Sequence, residues 1–79
     1  MAVPKLHPVD SSCVARIGYD PAAEEVYVEF HDSDIYAYRG VSALVFDEFA
    51  RAESKGVFLN DVVKPRYPVR KLGARPSSR

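Results

Sequence analysis

The spacing of hydrophobic positions changes character midway along this chain, and that change predicts its elements. Val26, Val28 and Phe30 alternate with Tyr27, Glu29 and His31, a period of two that marks a strand with one apolar face. Asp32, Ser33 and Asp34 follow, short polar residues that bond their own backbone and tolerate turn dihedrals. β-Favouring residues resume over 35–41, with Tyr36 and Tyr38 two apart and so on one face. The stretch 26–41 reads as a β-hairpin carrying a Tyr-x-Tyr pair.

Loop length decides where those tyrosines point, because a one-residue slip moves every side chain across the sheet. A two-residue loop places Tyr36 opposite Glu29 and both tyrosines beside Tyr27 and Glu29. A three-residue loop places them with Val26, Val28 and Phe30. The second register is favoured, since it segregates the faces better and keeps Arg39 off the buried side.

Upstream, residues 13–19 form a plausible first strand, with Gly18 suggesting a bend or bulge. Asp20-Pro21 is a turn signal, because the proline keeps Asp20 out of the helical region. At Ser42 the period becomes helical. Ser42 is a good N-cap, and Val45, Phe46, Phe49 and Ala52 recur at helical spacing. Gly56, after Lys55, reads as a left-handed helix end. Phe58, Leu59, Val62 and Val63 suggest a second, short helix; Pro65 and Pro68 should stop regular structure.

The expectation is an α+β fold: a bent three-stranded antiparallel β-meander followed by one main α-helix over 42–55 and a short helix. A partly open small barrel, SH3- or Sm-like, is the alternative, since Gly18 and Gly40 permit sharp bending. Residues 1–10 read as a flexible N-terminal arm, 11–67 as a single domain, and 68–79 as a basic, disordered tail. Phe49 is expected in the core, and removal of 73–79 is expected to leave the fold intact.

Composition refines this picture modestly. Seventy-nine residues with 47% hydrophobic content suit one small domain with a marginal core. No apolar run approaches the roughly 20 residues of a membrane span. The first residues, MAVPKLHPVDSS, lack a signal-peptide core, and the lone Cys13 suits a reducing compartment, so the expected location is cytoplasmic. Eleven basic and eleven acidic residues cancel, yet they segregate. Residues 20–34 carry six acids and no Lys or Arg, whereas Lys64, Arg66, Arg70, Lys71, Arg75 and Arg79 follow the last acid, Asp61.

A series of short motifs adds a family. Ser11-Ser12, Ile17-Gly18-Tyr19-Asp20, Val28-x-Phe30, Tyr36-x-Tyr38, Val41 and Ala52-x-Ser54-x-Gly56-x-Phe58-Leu59-Asn60 together resemble the KTSC domain. That family takes its name from the C-terminus of some lysyl-tRNA synthetases and also occurs as free-standing small bacterial proteins. The resemblance covers about residues 9–67, and its synthetase context implies RNA binding. Two positions depart from it: Ser33 stands where a turn glycine is usual, and Ser42 where a proline is usual.

Candidates for catalysis are thin. Cys13 with His31 or His7 could form a thiolate pair, but a small buried Cys and surface histidines explain them more simply. His31, Asp32 and Asp34 suit a polar turn better than a cation site. No metal-ligand spacing and no phosphate-cradling glycine loop occur. The chain is therefore read as no enzyme, with no cofactor and no metal.

The tyrosines are the better lead. Tyr36 and Tyr38, with Arg39 near, resemble the stacking platforms that hold unpaired bases; the favoured register makes a small core filled by both, with hydroxyls at its rim, the simpler account. Lys64, Arg66, Arg70 and Lys71 would supply phosphate contacts, with the acids of 20–34 repelling the strand toward the opposite end. The expected function is a small non-catalytic binding domain for single-stranded or structured RNA. The alternative is a protein–protein interaction or oligomerisation module using a strand edge.

Overall fold

In the computed structural model, which describes residues 4–74, the chain forms one open antiparallel sheet covered on one face by helices. Its strands are β1 (His7–Pro8), β2 (Val14–Asp20), β3 (Glu25–Phe30), β4 (Asp34–Arg39) and β5 (Val69–Ala74). They lie side by side in chain order. Between β4 and β5 run α1 (Ala43–Arg51) and a second helix, α2, over residues 55–66. The α+β class holds, but the sheet has five strands rather than three, and β1 and β5 are not neighbours. The small-barrel alternative therefore gives way to an open sheet.

Both added strands sit at edges and hide their signal. β1 is two residues long and includes Pro8, which an edge strand tolerates because one side needs no N–H donor. β5 carries Arg70 and Lys71, edge charges that discourage unwanted pairing, and its register shifts between Ile35 and Tyr36 of β4. Of the range read as a disordered tail, Val69–Ala74 is this strand, with Gly73 opposite Ile35 and Ala74 opposite Asp34. Residues 75–79 and 1–3, the remainder of the tail and arm readings, lie outside the described residues.

The hairpin takes the favoured register. Val28 faces Tyr36 and Val26 faces Tyr38, so both tyrosines share the apolar face and the loop is His31-Asp32-Ser33. Ser33 sits at φ 78°, where glycine would be unstrained. The turn is held by Ser33 N–H donating to the Phe30 carbonyl at 2.9 Å and Asp34 N–H donating to Asp32 Oδ1 at 3.0 Å. In the preceding turn, Asp20 Oδ1 accepts from Ala22 N–H at 3.1 Å and Ala23 N–H at 3.3 Å.

Gly18 has a different task from the expected bend. The irregularity in β2 lies between Val14 and Arg16. At Gly18, a β-carbon would lie 2.6 Å from Leu6 Cδ2 and 2.7 Å from the Lys5 carbonyl oxygen. Its bareness lets the segment before β1 lie against the sheet.

Ser42 caps α1, its hydroxyl accepting from Val45 N–H at 3.3 Å. The helix ends sooner than expected, because Ala52 turns extended at φ −62°, ψ 140°. Ser54 then caps α2 by accepting from Val57 N–H at 3.2 Å. Gly56 thus lies inside α2 rather than ending α1. Pro65 likewise does not stop the helix. The stretch Leu59–Val63 is a π turn, with Lys64 N–H bonded to the Leu59 carbonyl. A widened turn suits a following proline, which offers no N–H and crowds the preceding carbonyls.

The main core lies between the sheet and the helices. Val14, Ile17, Val26, Val28, Tyr38 and Val41 meet Phe49, Leu59 and Val63. Phe49 is 1% exposed and its ring stacks on Phe58 at 5.6 Å between centroids. At one side Tyr19 stacks on Phe46 at 5.0 Å and donates to the Val41 carbonyl at 2.7 Å. A smaller cluster on the reverse face joins Tyr27, Ile35 and Ala37 to Leu6 and Leu72.

Candidate nucleic-acid interface

The helix-covered face is not fully closed. Beyond the end of α2, a groove of about 440 Å³ opens over β4, lined by Phe30, Asp32, Tyr36, Tyr38, Lys64 and Val69. The hairpin register brings Tyr36 and Tyr38 to this face, α2 brings Lys64, and β5 brings Val69.

The two tyrosines differ in what they offer. Tyr38 is 2% exposed, and burial raises its phenol above the ordinary value, with Tyr36 adding to the effect. Its ring belongs to the core and forms the groove's inner wall. Tyr36 is half-buried, its ring meeting Phe30 edge-on at 5.4 Å. With Phe30, which is likewise half-buried, it forms the aromatic part of the lining.

Lys71, opposite Tyr36 across the β4–β5 ladder, places Nζ 5.9 Å from the Tyr36 ring centroid and 3.4 Å from Asp34 Oδ2. The Asp34 carboxylate holds the exposed ammonium's pKa above its ordinary value. Lys64 lines the groove beside Asp32, while Lys71 lies next to it over Tyr36, paired with Asp34. The acidic hairpin tip was expected to lie at the opposite end from a bound strand. The structure puts Asp32 in the groove wall itself.

The remaining cations named from the sequence lie elsewhere. Arg39 and Arg70 project from the reverse face and converge on Glu25. Arg39 Nε lies 3.8 Å from Glu25 Oε2, and Arg70 Nη2 lies 3.3 Å from the same oxygen. Tyr27 donates to Glu25 Oε1 at 2.8 Å; burial, then that bond, raises its phenol pKa. Arg16 pairs with Glu29 on the same face at 3.3 Å. Arg66 is exposed at the end of α2, outside the groove lining.

Phe30, Asp32 and Val69 were not anticipated as lining. The hairpin register does imply that Phe30 neighbours Tyr36, whereas Val69 had no signal while β5 went unrecognised. Cys13 is exposed just before β2 rather than buried on it, and His31 Nε2 lies 2.8 Å from the Ser11 carbonyl oxygen. Among the described residues, no three His, Cys, Asp or Glu side chains cluster as metal ligands. Nor is any helix among them long and apolar enough to cross a membrane.

Fold and site define a small α+β domain with an open antiparallel sheet and one aromatic, lysine-flanked groove. The chain belongs to the KTSC domain family, whose sequence profile matches residues 10–67. It is 42% identical over 62 residues to a protein of Tsukamurella paurometabola, covering 78% of this chain and 92% of that one. An uncharacterized protein of Stutzerimonas stutzeri is 34% identical over 59 residues, covering 75% and 83%. The crystal structure of a KTSC domain protein from Yersinia pestis superposes with a TM-score of 0.83 at 36% identity, covering 87% of this chain and 97% of that one.

Proposed function

We propose that this KTSC domain is a non-catalytic, cytoplasmic binding module for an unpaired RNA strand, engaged at the Tyr36 groove. The observation carrying the reading is the convergence of a reachable aromatic ring with Lys64 and Lys71 around one opening. A base has a π-face to lay on Tyr36, and lysines meet the phosphates that flank it. Lys71 now covers the Tyr36 ring; a stacking base takes that place and frees the ammonium for phosphate.

The charge arrangement bounds the strength. Four cations at the site would give a log–log salt slope of about −2.8, at roughly −0.7 per single-strand contact. Arg70 pairs with Glu25 on the reverse face and Arg66 lies outside the groove; with Lys64 and with Lys71 exchanging Asp34 for phosphate, two contacts remain and the slope is about −1.4. Anisotropy of a short labelled single-stranded RNA, titrated across salt concentrations, tests this. Tyr36→Leu should weaken binding by about 1–3 kcal/mol while leaving the slope unchanged. No binding at low salt contradicts the reading.

A second reading is association with a protein or another copy through the edge of β5. Its support is a six-residue border strand whose Val69 is 53% exposed. Sedimentation without RNA separates the two: a stable dimer favours the edge.

A further inference from the structure

A second groove, of about 360 Å³, lies where α1 gives way to α2 and differs in character from the first. Ala52, Val57, Phe58 and Val62 supply its apolar surface, and its charged lining residues are Glu53 and Asp61. Val57 is 58% exposed, while its α2 neighbours Leu59 and Val63 are buried against the sheet. We propose that this groove is a docking site for a basic amphipathic helix of a partner protein.

Charge decides the class of occupant. Among the described residues, neither Glu53 nor Asp61 has an ion pair or hydrogen-bonding side-chain partner. The carboxylates of Glu25, Glu29 and Asp34, by contrast, are each paired with Arg or Lys on the sheet. Arg51, at the end of α1, is engaged with Asp47 at 3.2 Å, the Lys55 ammonium at the groove's edge donates to the Ala52 carbonyl at 2.6 Å rather than to either carboxylate, and the Ser54 hydroxyl is spent on its cap. An apolar floor flanked by two unmatched carboxylates complements a helix with apolar anchors at i and i+3 or i+4 and Lys or Arg beside them. The same carboxylates repel a nucleic-acid strand, so this surface and the Tyr36 groove select different partners.

The probe is a synthetic helix of leucine and lysine with its leucines on one face, titrated into the full chain while backbone amide signals are followed by NMR. The expected result is movement centred on Val57, Phe58, Asp61 and Val62, with no response to the same peptide carrying Glu for Lys. The exposed double variant E53K/D61K should melt as the parent does and weaken the basic peptide by roughly tenfold or more. Val57→Lys, a single exposed change, should weaken the peptide in the same direction. Movement confined to the acidic stretch 20–34, equal response to the Glu peptide, no binding, or unchanged affinity in E53K/D61K overturns the proposal. A dimer that Val57→Lys dissociates also overturns it, because the occupant is then a second copy.

Discussion

The two faces of the sheet are built by different means. The helix-covered face is packed with apolar side chains, Val26, Val28 and Tyr38 against Phe49, Leu59 and Val63. Among the described residues, no helix covers the reverse face. There a small cluster of Tyr27, Ile35 and Ala37 is roofed by Leu6 and Leu72 and fenced by Arg16–Glu29 and the Glu25 pairs with Arg39 and Arg70. The contrast separates cations by role. Arginines on the reverse face complete a structural network, while lysines on the covered face border an opening. A count of basic residues along the chain cannot make that distinction.

If the covered face carries the stability, its centre should show the largest effect. Phe49→Ala removes a fully buried ring between sheet and α2 and should cost about 3–5 kcal/mol, a large share of the stability of a domain this small. Urea denaturation followed by circular dichroism measures it; near-parental melting would remove Phe49 from the core.

The reverse face should respond at its closest approach. Gly18→Ala sets a methyl group against Leu6 and the Lys5 carbonyl, one of which is backbone and cannot swing aside. The expected cost is about 1–3 kcal/mol, with faster hydrogen exchange at Val9, whose N–H donates to the Ala15 carbonyl. Unchanged exchange would show that the N-terminal segment does not lie on the sheet.

A smaller, pH-dependent effect follows from the phenols. Tyr19, Tyr27 and Tyr38 all have pKa values raised above the ordinary 10.0, each mainly by burial. A raised value in the fold means that the unfolded chain ionises first. The stability from these protons is complete below pH 10 and falls as pH climbs past it. Tyr27→Phe also loses the bond to Glu25, at about 1–2 kcal/mol, and should make the alkaline fall in melting temperature shallower. An unaltered alkaline profile would place the Tyr27 hydroxyl in solvent.

Much of the covered face was legible in the sequence, and the reason is local. Alternation at Val26, Val28 and Phe30 fixed the strand's faces, Ser42 marked the start of α1, and face segregation chose the register that brought Tyr36 and Tyr38 inward. The reverse face was not legible because its organising contacts are distant in sequence. Arg70 meets Glu25 across 45 positions, and nothing in the pattern around Arg70 announces it. β5 was missed because a register shift breaks its alternation and Pro68 precedes it. With β5 unseen, Val69 could not be placed beside Tyr38, nor Lys71 over Tyr36. Gly56 misled for a different reason: glycine marks helix ends, but here it sits inside α2 beside Cys13, 3.5 Å from Sγ to a β-carbon at that position.

The division of cations between the faces is the claim most directly open to measurement. Two double variants, K64A/K71A and R39A/R70A, are compared for single-stranded RNA binding across salt concentrations, each first checked for cooperative melting. K64A/K71A should lose the salt dependence, flattening the log–log slope by about 1.4. R39A/R70A should lower the melting temperature, because Glu25 loses both arginines, yet leave the slope as it is in the parent. The reverse outcome, a slope carried by the arginines and untouched by the lysines, would move the RNA to the other face and contradict the account.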